Sequence, residues 1–357
     1  MRFCILFECE REWENMKRSA QAVMYAVVCC FAAVSLLTSS GSAKQGISDA
    51  LMLACNVVIP SLFPFMVLTG CLVRSGAAAA LTRPTAPALT AVFRLPKSAC
   101  GAVLMSFISG YPSGAAMTAE LLESGEITQK QAERMLTFCV NAGPAMILFA
   151  VGDALFSSRA AGIVLLVCHI LASVIIGAVG ARFAPKQSAG SRAVESKPPH
   201  SLADAFVEAT SDASSQMLVI CGFVAAFGCI TAMLPKGLEP LSAVLEVTRG
   251  TACLAERGAA LPVISAALGF SGVSVMCQVA ALSKGAIRPW VLVCSRAAHA
   301  AISFLLCKAA LRLFPGALEC VSFGAQTVLA FSATSVPLTL SMLACAAIML
   351  STGCKEK

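Results

Sequence analysis

Residues 98–122 read Ser98-Ala-Cys-Gly-Ala-Val-Leu-Met-Ser-Phe-Ile-Ser-Gly-Tyr-Pro-Ser-Gly-Ala-Ala-Met-Thr-Ala-Glu-Leu-Leu122. The stretch is apolar, but Gly110, Pro112 and Gly114 break it at its centre. A bilayer crossing takes about 20 apolar residues, so 98–122 is too short to cross and return. Hydrocarbon offers no partner for a free N–H or C=O, so broken backbone is tolerated only inside protein or beside water. The segment therefore reads as a re-entrant hairpin with its tip at 109–115. Two further apolar stretches are interrupted in the same way. Thr128–Ala154 breaks at Asn141-Ala-Gly-Pro144, and Ala259–Leu282 breaks at Gly269-Phe-Ser-Gly-Val-Ser274.

Composition agrees. Of 357 residues 58% are apolar and 13% charged, about half the usual charged share of a soluble domain. That excludes a soluble enzyme, a nucleic-acid-binding module and a disordered chain. The net charge of +7 fits Lys and Arg held in cytoplasmic loops. The 18 cysteines include no C-x-x-C pair and sit in apolar runs, so they read as small packing residues. Neither a disulfide nor a metal site is expected.

Full spans are expected at Ala20–Leu37, Ile47–Val73, Arg159–Ala181, Ser214–Leu234, Ile287–Leu313 and Thr327–Leu350. Ahead of the first lies an N-terminal extension, 1–19, in which Met16 offers an alternative start; the first transmembrane helix then covers 20–38. A cytoplasmic N-terminus places Arg74, Arg83, Arg94, Lys97, Arg182, Lys308 and Arg312 inside. On that assignment Ser98–Leu122 opens to the inside and Ala259–Leu282 is a second hairpin opening to the outside. The polar segment 185–200 is a cytoplasmic linker between a first repeat, 47–184, and a second, 201–350, with 351–357 as a tail. Each half runs span, short amphipathic segment, hairpin, span, span, which describes inverted repeats with broken helices, the plan of secondary transporters. The expected fold is thus an all-α polytopic membrane protein.

Freed backbone groups and half-helix N-termini bind small polar ligands and ions. The candidate substrate-binding residues are Ser109, Gly110, Pro112, Ser113, Gly114, Asn141, Gly143, Pro144, Glu246, Gly269, Ser271, Gly272, Ser274 and Gln278. Glu246 reads equally as a contact for a coupling ion (Na+ or H+) or as an i,i+3 partner of Arg249. His169 and His299 read as hydrogen-bonded packing residues, and Arg296 lies deep enough to demand a partner.

Ser109-Gly-Tyr-Pro-Ser-Gly-Ala115, Glu133-Arg134 with Asn141-Ala-Gly-Pro144, Glu246-Val-Thr-Arg-Gly250 and Leu268-Gly-Phe-Ser-Gly-Val-Ser274 occur in order. Over roughly 47–314 the chain resembles the YlbJ-type sporulation integral membrane proteins of the wider nucleoside-recognition (Gate) domain group. The second tip, with Gln278, is also similar to that of concentrative nucleoside transporters. The acidic and amide residues that grip nucleoside and sodium there have no unambiguous counterparts here. The resemblance implies a multi-pass protein of the bacterial cytoplasmic membrane that carries a small polar, nucleoside-like solute. A scaffold for spore-coat or envelope assembly is the alternative. Neither HExxH nor an intramembrane GxSxG is present, so no enzyme activity and no cofactor are expected. The expected partners are the solute and the bilayer, without nucleic acid, and a homo-oligomer is compatible with the sequence.

Overall fold

The computed structural model describes residue 19, residues 22–184 except 25, 28 and 31, and then 201–235 and 237–313. Residues 1–18, the linker 185–200, the expected span Thr327–Leu350 and the tail 351–357 lie outside the described residues, and the first transmembrane helix only partly within them. Every regular element among the described residues is helical.

Among the described residues, five segments are long and apolar enough to cross a membrane. They are α1 (Ser40–Arg74), α8 (Arg159–Arg182), α9 (Leu202–Ala232), the broken pair α12 (Leu261–Phe270) and α13 (Gly272–Leu282), and α14 (Pro289–Leu313). Between them lie α2 (Ala77–Thr82), α3 (Ala86–Phe93), α4 (Ala99–Ser109), α5 (Tyr111–Glu123), α6 (Gln129–Phe138), α7 (Met146–Leu155), α10 (Ser242–Leu245) and α11 (Val247–Glu256). α1 widens into a π-turn over Ala54–Val58 just ahead of Pro60. The missing proline N–H and its ring oblige the helix to loosen there. α9 starts twelve residues earlier than the span expected at Ser214, because the Ser201 hydroxyl accepts the Asp204 N–H as an N-cap.

α1 and α9 run antiparallel at backbone contact. A Cβ on Gly46 would lie 2.6 Å from the Gly228 carbonyl oxygen, and one on Gly70 would lie 2.9 Å from Ala209 Cβ. Small residues are what permit helices to approach so closely in a membrane. The pair owns a separate apolar cluster, from Ala50 to Val224, while the remaining helices share a larger one from Phe93 to Cys307.

The first hairpin is present. At Gly110 (φ 97°) the chain reverses, and α5 folds back so that a Gly114 Cβ would lie 3.1 Å from Ser106 Cβ. The second hairpin is not where the sequence suggested. α12 runs antiparallel along α14: Ser265 Oγ donates to the Ser303 carbonyl at 3.1 Å, and Gly269 lies against Ala300. α13 then continues beside α5 and in the same direction, from Tyr111 near Leu268 to the Lys284–Glu123 ion pair at 2.7 Å. Leu261–Leu282 therefore passes from one end of the bundle to the other as a broken crossing of 22 residues, about 33 Å at 1.5 Å per residue. The tip expected at 269–274 is a mid-crossing break, at Ser271 (φ 67°) and Gly272 (φ 78°).

The reversal in this half lies upstream. α10 and α11 turn at Glu246 and close so tightly that a Gly250 Cβ would sit 2.1 Å from Ala243 Cα, with Glu239 and Arg257 ion-paired across the open end at 3.1 Å. One consequence is that Lys284 and Arg288 share an end of the bundle with Arg74 and Glu123, whereas Lys308 and Arg312, expected on the same side as Arg74, lie towards the opposite end.

The return arms of the two hairpins end alike. After α5, Ser124, Gly125 and Glu126 donate to the carbonyls of Glu120, Leu122 and Leu121; after α11, Arg257, Gly258 and Ala259 donate to those of Cys253, Ala255 and Leu254. Gly125 and Gly258 take φ of 75° and 73°. Both are left-handed helix ends that glycine adopts without strain.

Candidate functional site

Four breaks meet at the level of the bundle centre: Gly110, the run 139–144, Glu246 and Ser271–Gly272. A Cβ on Gly143 would lie 3.4 Å from Gly110 Cα, and one on Gly272 would lie 3.1 Å from the Val247 nitrogen. Each half thus rests its hairpin tip on the break of its own next crossing. Gly114 touches the Cys139 carbonyl and Gly269 touches Ala300. At Gly114, Gly143, Gly269 and Gly272 a missing side chain is what lets backbone meet backbone.

The carbonyls released at the breaks find partners. Arg296, wholly buried, donates to the Thr137 and Val140 carbonyls where α6 ends. It makes no ion pair among the described residues; the partner demanded by its depth is the C-terminal end of a half-helix, where a cation is favoured. Its Nη1 also lies 3.3 Å from His299 Nδ1, and His299 Nε2 lies 3.1 Å from the His169 carbonyl. The Ala142 N–H donates to His169 Nε2 at 3.0 Å. These contacts fix neutral tautomers: His299 carries its proton on Nε2 and His169 on Nδ1. The two rings lie 4.4 Å apart, each ten residues into its own crossing helix. In the second half the Leu268 carbonyl takes the Tyr111 hydroxyl at 2.7 Å, so that break is closed by a neutral donor.

The half-helix N-termini are treated unequally. α11 is capped by its own Glu246, whose carboxylate accepts the N–H groups of Thr248 at 3.1 Å and Arg249 at 2.7 Å. The expected i,i+3 side-chain pair of Glu246 with Arg249 on a wet face is not seen among the described residues: the carboxylate is buried and takes the Arg249 backbone N–H instead. α5 and α13 receive no side-chain cap. At their starts the hydroxyls of Ser113 and Ser271 are buried and make no hydrogen bond. Asn141 donates to the Phe138 carbonyl at 2.7 Å and leaves its own oxygen without a partner. Ser109 bonds back to the Met105 carbonyl, and Gln278 reaches Ser274 at 3.4 Å. Pro112 and Pro144 sit at break residues where no helical N–H is needed.

A cavity of about 370 Å³ leads to this centre between the α1–α9 pair and the first hairpin. Arg74, Glu120, Glu123, Asp212 and Lys284 surround its outer part, and Ser113 in the first turn of α5 lies at its inner end. Arg74 pairs there with Asp212, Glu208 (3.5 Å) and Glu120 (3.8 Å). Sequence reading missed Thr69, Gly70, Ala209 and Gln216 as lining residues, since they lie outside the broken segments that marked the other candidates. Among the described residues no cluster of three acidic, His or Cys side chains is placed to hold a metal.

No family model and no solved structure matches the chain. The chain is an integral membrane protein with several apolar helices. It is similar to the sporulation integral membrane protein YlbJ of Bacillus subtilis (strain 168), with 25% identity over 298 residues that cover 71% of this chain and 73% of the relative.

Proposed function

We propose that this protein is a secondary carrier for a small polar solute, built from two inverted repeats whose breaks frame one central site. In this reading α1, the α4–α5 hairpin, the broken α6–α7 crossing and α8 correspond to α9, the α10–α11 hairpin, the broken α12–α13 crossing and α14. The matched helix ends at Gly125 and Gly258 and the facing His169 and His299 support that pairing. The end carrying Arg74, Arg94, Arg182, Lys284 and Arg288 is the cytoplasmic one by its basic excess.

The observation that carries the reading is the cavity that runs from the charged end to Ser113, on the uncapped first turn of a half-helix. A structural fold would gain by filling that space and capping that helix. Just beyond the inner end lie donors, the uncapped α5 N–H groups and the buried Ser113 hydroxyl, so an occupant that reaches them brings acceptor oxygens. The resemblance points to a nucleoside-like solute, and the relative's name points to use in sporulation.

A thermal-shift screen of purified protein against nucleosides, nucleobases and small organic acids, run with Ser113→Ala alongside, tests this. A rise in melting temperature confined to one solute class and lost in Ser113→Ala is the expected result. No stabilisation by any class would favour a scaffold in envelope or spore assembly, and a shift retained in Ser113→Ala would place the site away from the α5 N-terminus.

A further inference from the structure

We propose that Glu246 is the group through which this protein takes up and releases a coupling proton, and that the coupling ion is H+ rather than Na+. The inference rests on the carrier reading and names its ion. Glu246 is 3% exposed at the tip of the α10–α11 reversal, and it forms no ion pair among the described residues. A carboxylate buried without a cation is costly, and within a membrane fold such a group marks function by default.

Its surroundings favour a proton over a metal cation. Both carboxylate oxygens already receive N–H donors, which take up lone pairs that a metal cation would need. Sodium needs several oxygen ligands around it, and the backbone at this tip offers mainly nitrogen: a Cβ built on Gly272 would lie 3.1 Å from the Val247 nitrogen and 3.3 Å from that of Glu246, with the Leu245 carbonyl oxygen at 3.2 Å. A proton needs only one free lone pair. Protonation also has a mechanical consequence, since a neutral carboxyl caps α11 less well and gains an O–H to donate. The adjoining Ser271 hydroxyl, fully buried and without a partner, belongs to the very break that the tip rests on.

The charged and titratable groups around Glu246 are few. Tyr111 faces it from α5, with Arg296 of α14 beyond, and Arg249 lies on its own helix. α12 and α13 carry no acidic or basic side chain, and Asp153 of α7 is paired with Arg159 away from the centre.

Infrared difference spectroscopy of the full chain in lipid reads the carbonyl stretch of a protonated carboxyl directly. The expected result is a band that appears on acidification, is lost in Glu246→Gln, and is unmoved when sodium replaces potassium. A solute that raises the melting temperature should also displace the band's midpoint. Should Glu246→Gln fail to fold, Tyr111→Phe must shift the midpoint of the wild-type band by changing the neighbouring dipole. Identical spectra for wild type and Glu246→Gln at every pH, or a band removed by sodium at constant pH, would overturn the proposal. A titrating Glu246 band in a protein that no solute stabilises would instead leave the proton site and remove the carrier reading.

Discussion

The two hairpin tips solve one problem in different ways. Each reverses the chain at the bundle centre and rests on the break of the next crossing. At the first, Gly110 turns the chain and leaves the N-terminus of α5 uncapped, and the cavity reaches it. At the second, Glu246 turns the chain and covers the N-terminus of α11 with its own carboxylate. The breaks they rest on differ in parallel: one is held by a buried guanidinium, the other by a phenol hydroxyl. Two reversals of one bundle can thus differ, one tip left uncapped beside a cavity and the other closed by its own chain.

The severest way to break this comparison is to remove the charged brace. Arg296→Leu strands the Thr137 and Val140 carbonyls, each costing about 1–3 kcal/mol when buried unpaired. A large fall in thermal stability is expected, and a mild one would mean that water replaces the guanidinium. Gly114→Ala should follow, because its Cβ would lie 1.9 Å from the Cys139 oxygen. Overpacking of this kind costs about 1–3 kcal/mol. Gly222→Ala, with no atom within 4 Å of the added carbon, is the neutral control in the same melting assay.

Ser113→Ala should leave folding within about 0.5 kcal/mol, since its hydroxyl makes no hydrogen bond among the described residues. It should cost a bound solute about 1 kcal/mol, near fivefold in affinity by titration. Equal loss of affinity in Thr251→Ala, on the capped side, would erase the distinction between the tips.

The smallest effect belongs to the surface. Arg288 donates to Glu133 at 2.7 Å and holds its carboxyl below the usual carboxylate range. A lowered folded-state value contributes stability above the ordinary carboxylate range and loses it as pH falls through the lowered value. Exposure screens the pair to about 0–1 kcal/mol. Glu133→Gln should therefore lower the melting temperature slightly near neutrality, converge with wild type in acid, and show little effect in high salt.

The crossings were legible as apolar length, and the breaks as Gly, Pro and polar residues inside such length. What followed each break was not. Gly269-Phe-Ser-Gly-Val-Ser274 resembles Ser109-Gly-Tyr-Pro-Ser-Gly-Ala115 because the chemistry of interrupting a helix is the same whether the chain turns back or goes on. Direction is set afterwards by packing, here of α13 on α5. The true second reversal escaped notice because Glu246, Thr248 and Arg249 make it look like a surface helix. The facing pair His169 and His299 lies 130 residues apart in sequence, so each reads alone as an ordinary buried histidine. Glu246 and Ser113 were both visible as candidates, but which of them is capped and which is open depends on backbone geometry.

The fit of α1 against α9 also has a bearing on how the chain is made. Gly46 meets Gly228, which is synthesised 182 residues later. At about 5–20 residues per second, α1 waits on the order of 10–40 s for its partner. During that interval its groove of Gly46, Ala50 and Ala54 faces lipid, insertion machinery or a helix of a neighbouring nascent chain. Membrane insertion of this protein is therefore a matter of keeping an early helix available for a late one, and slowing translation between the halves should lower the yield of correctly assembled protein.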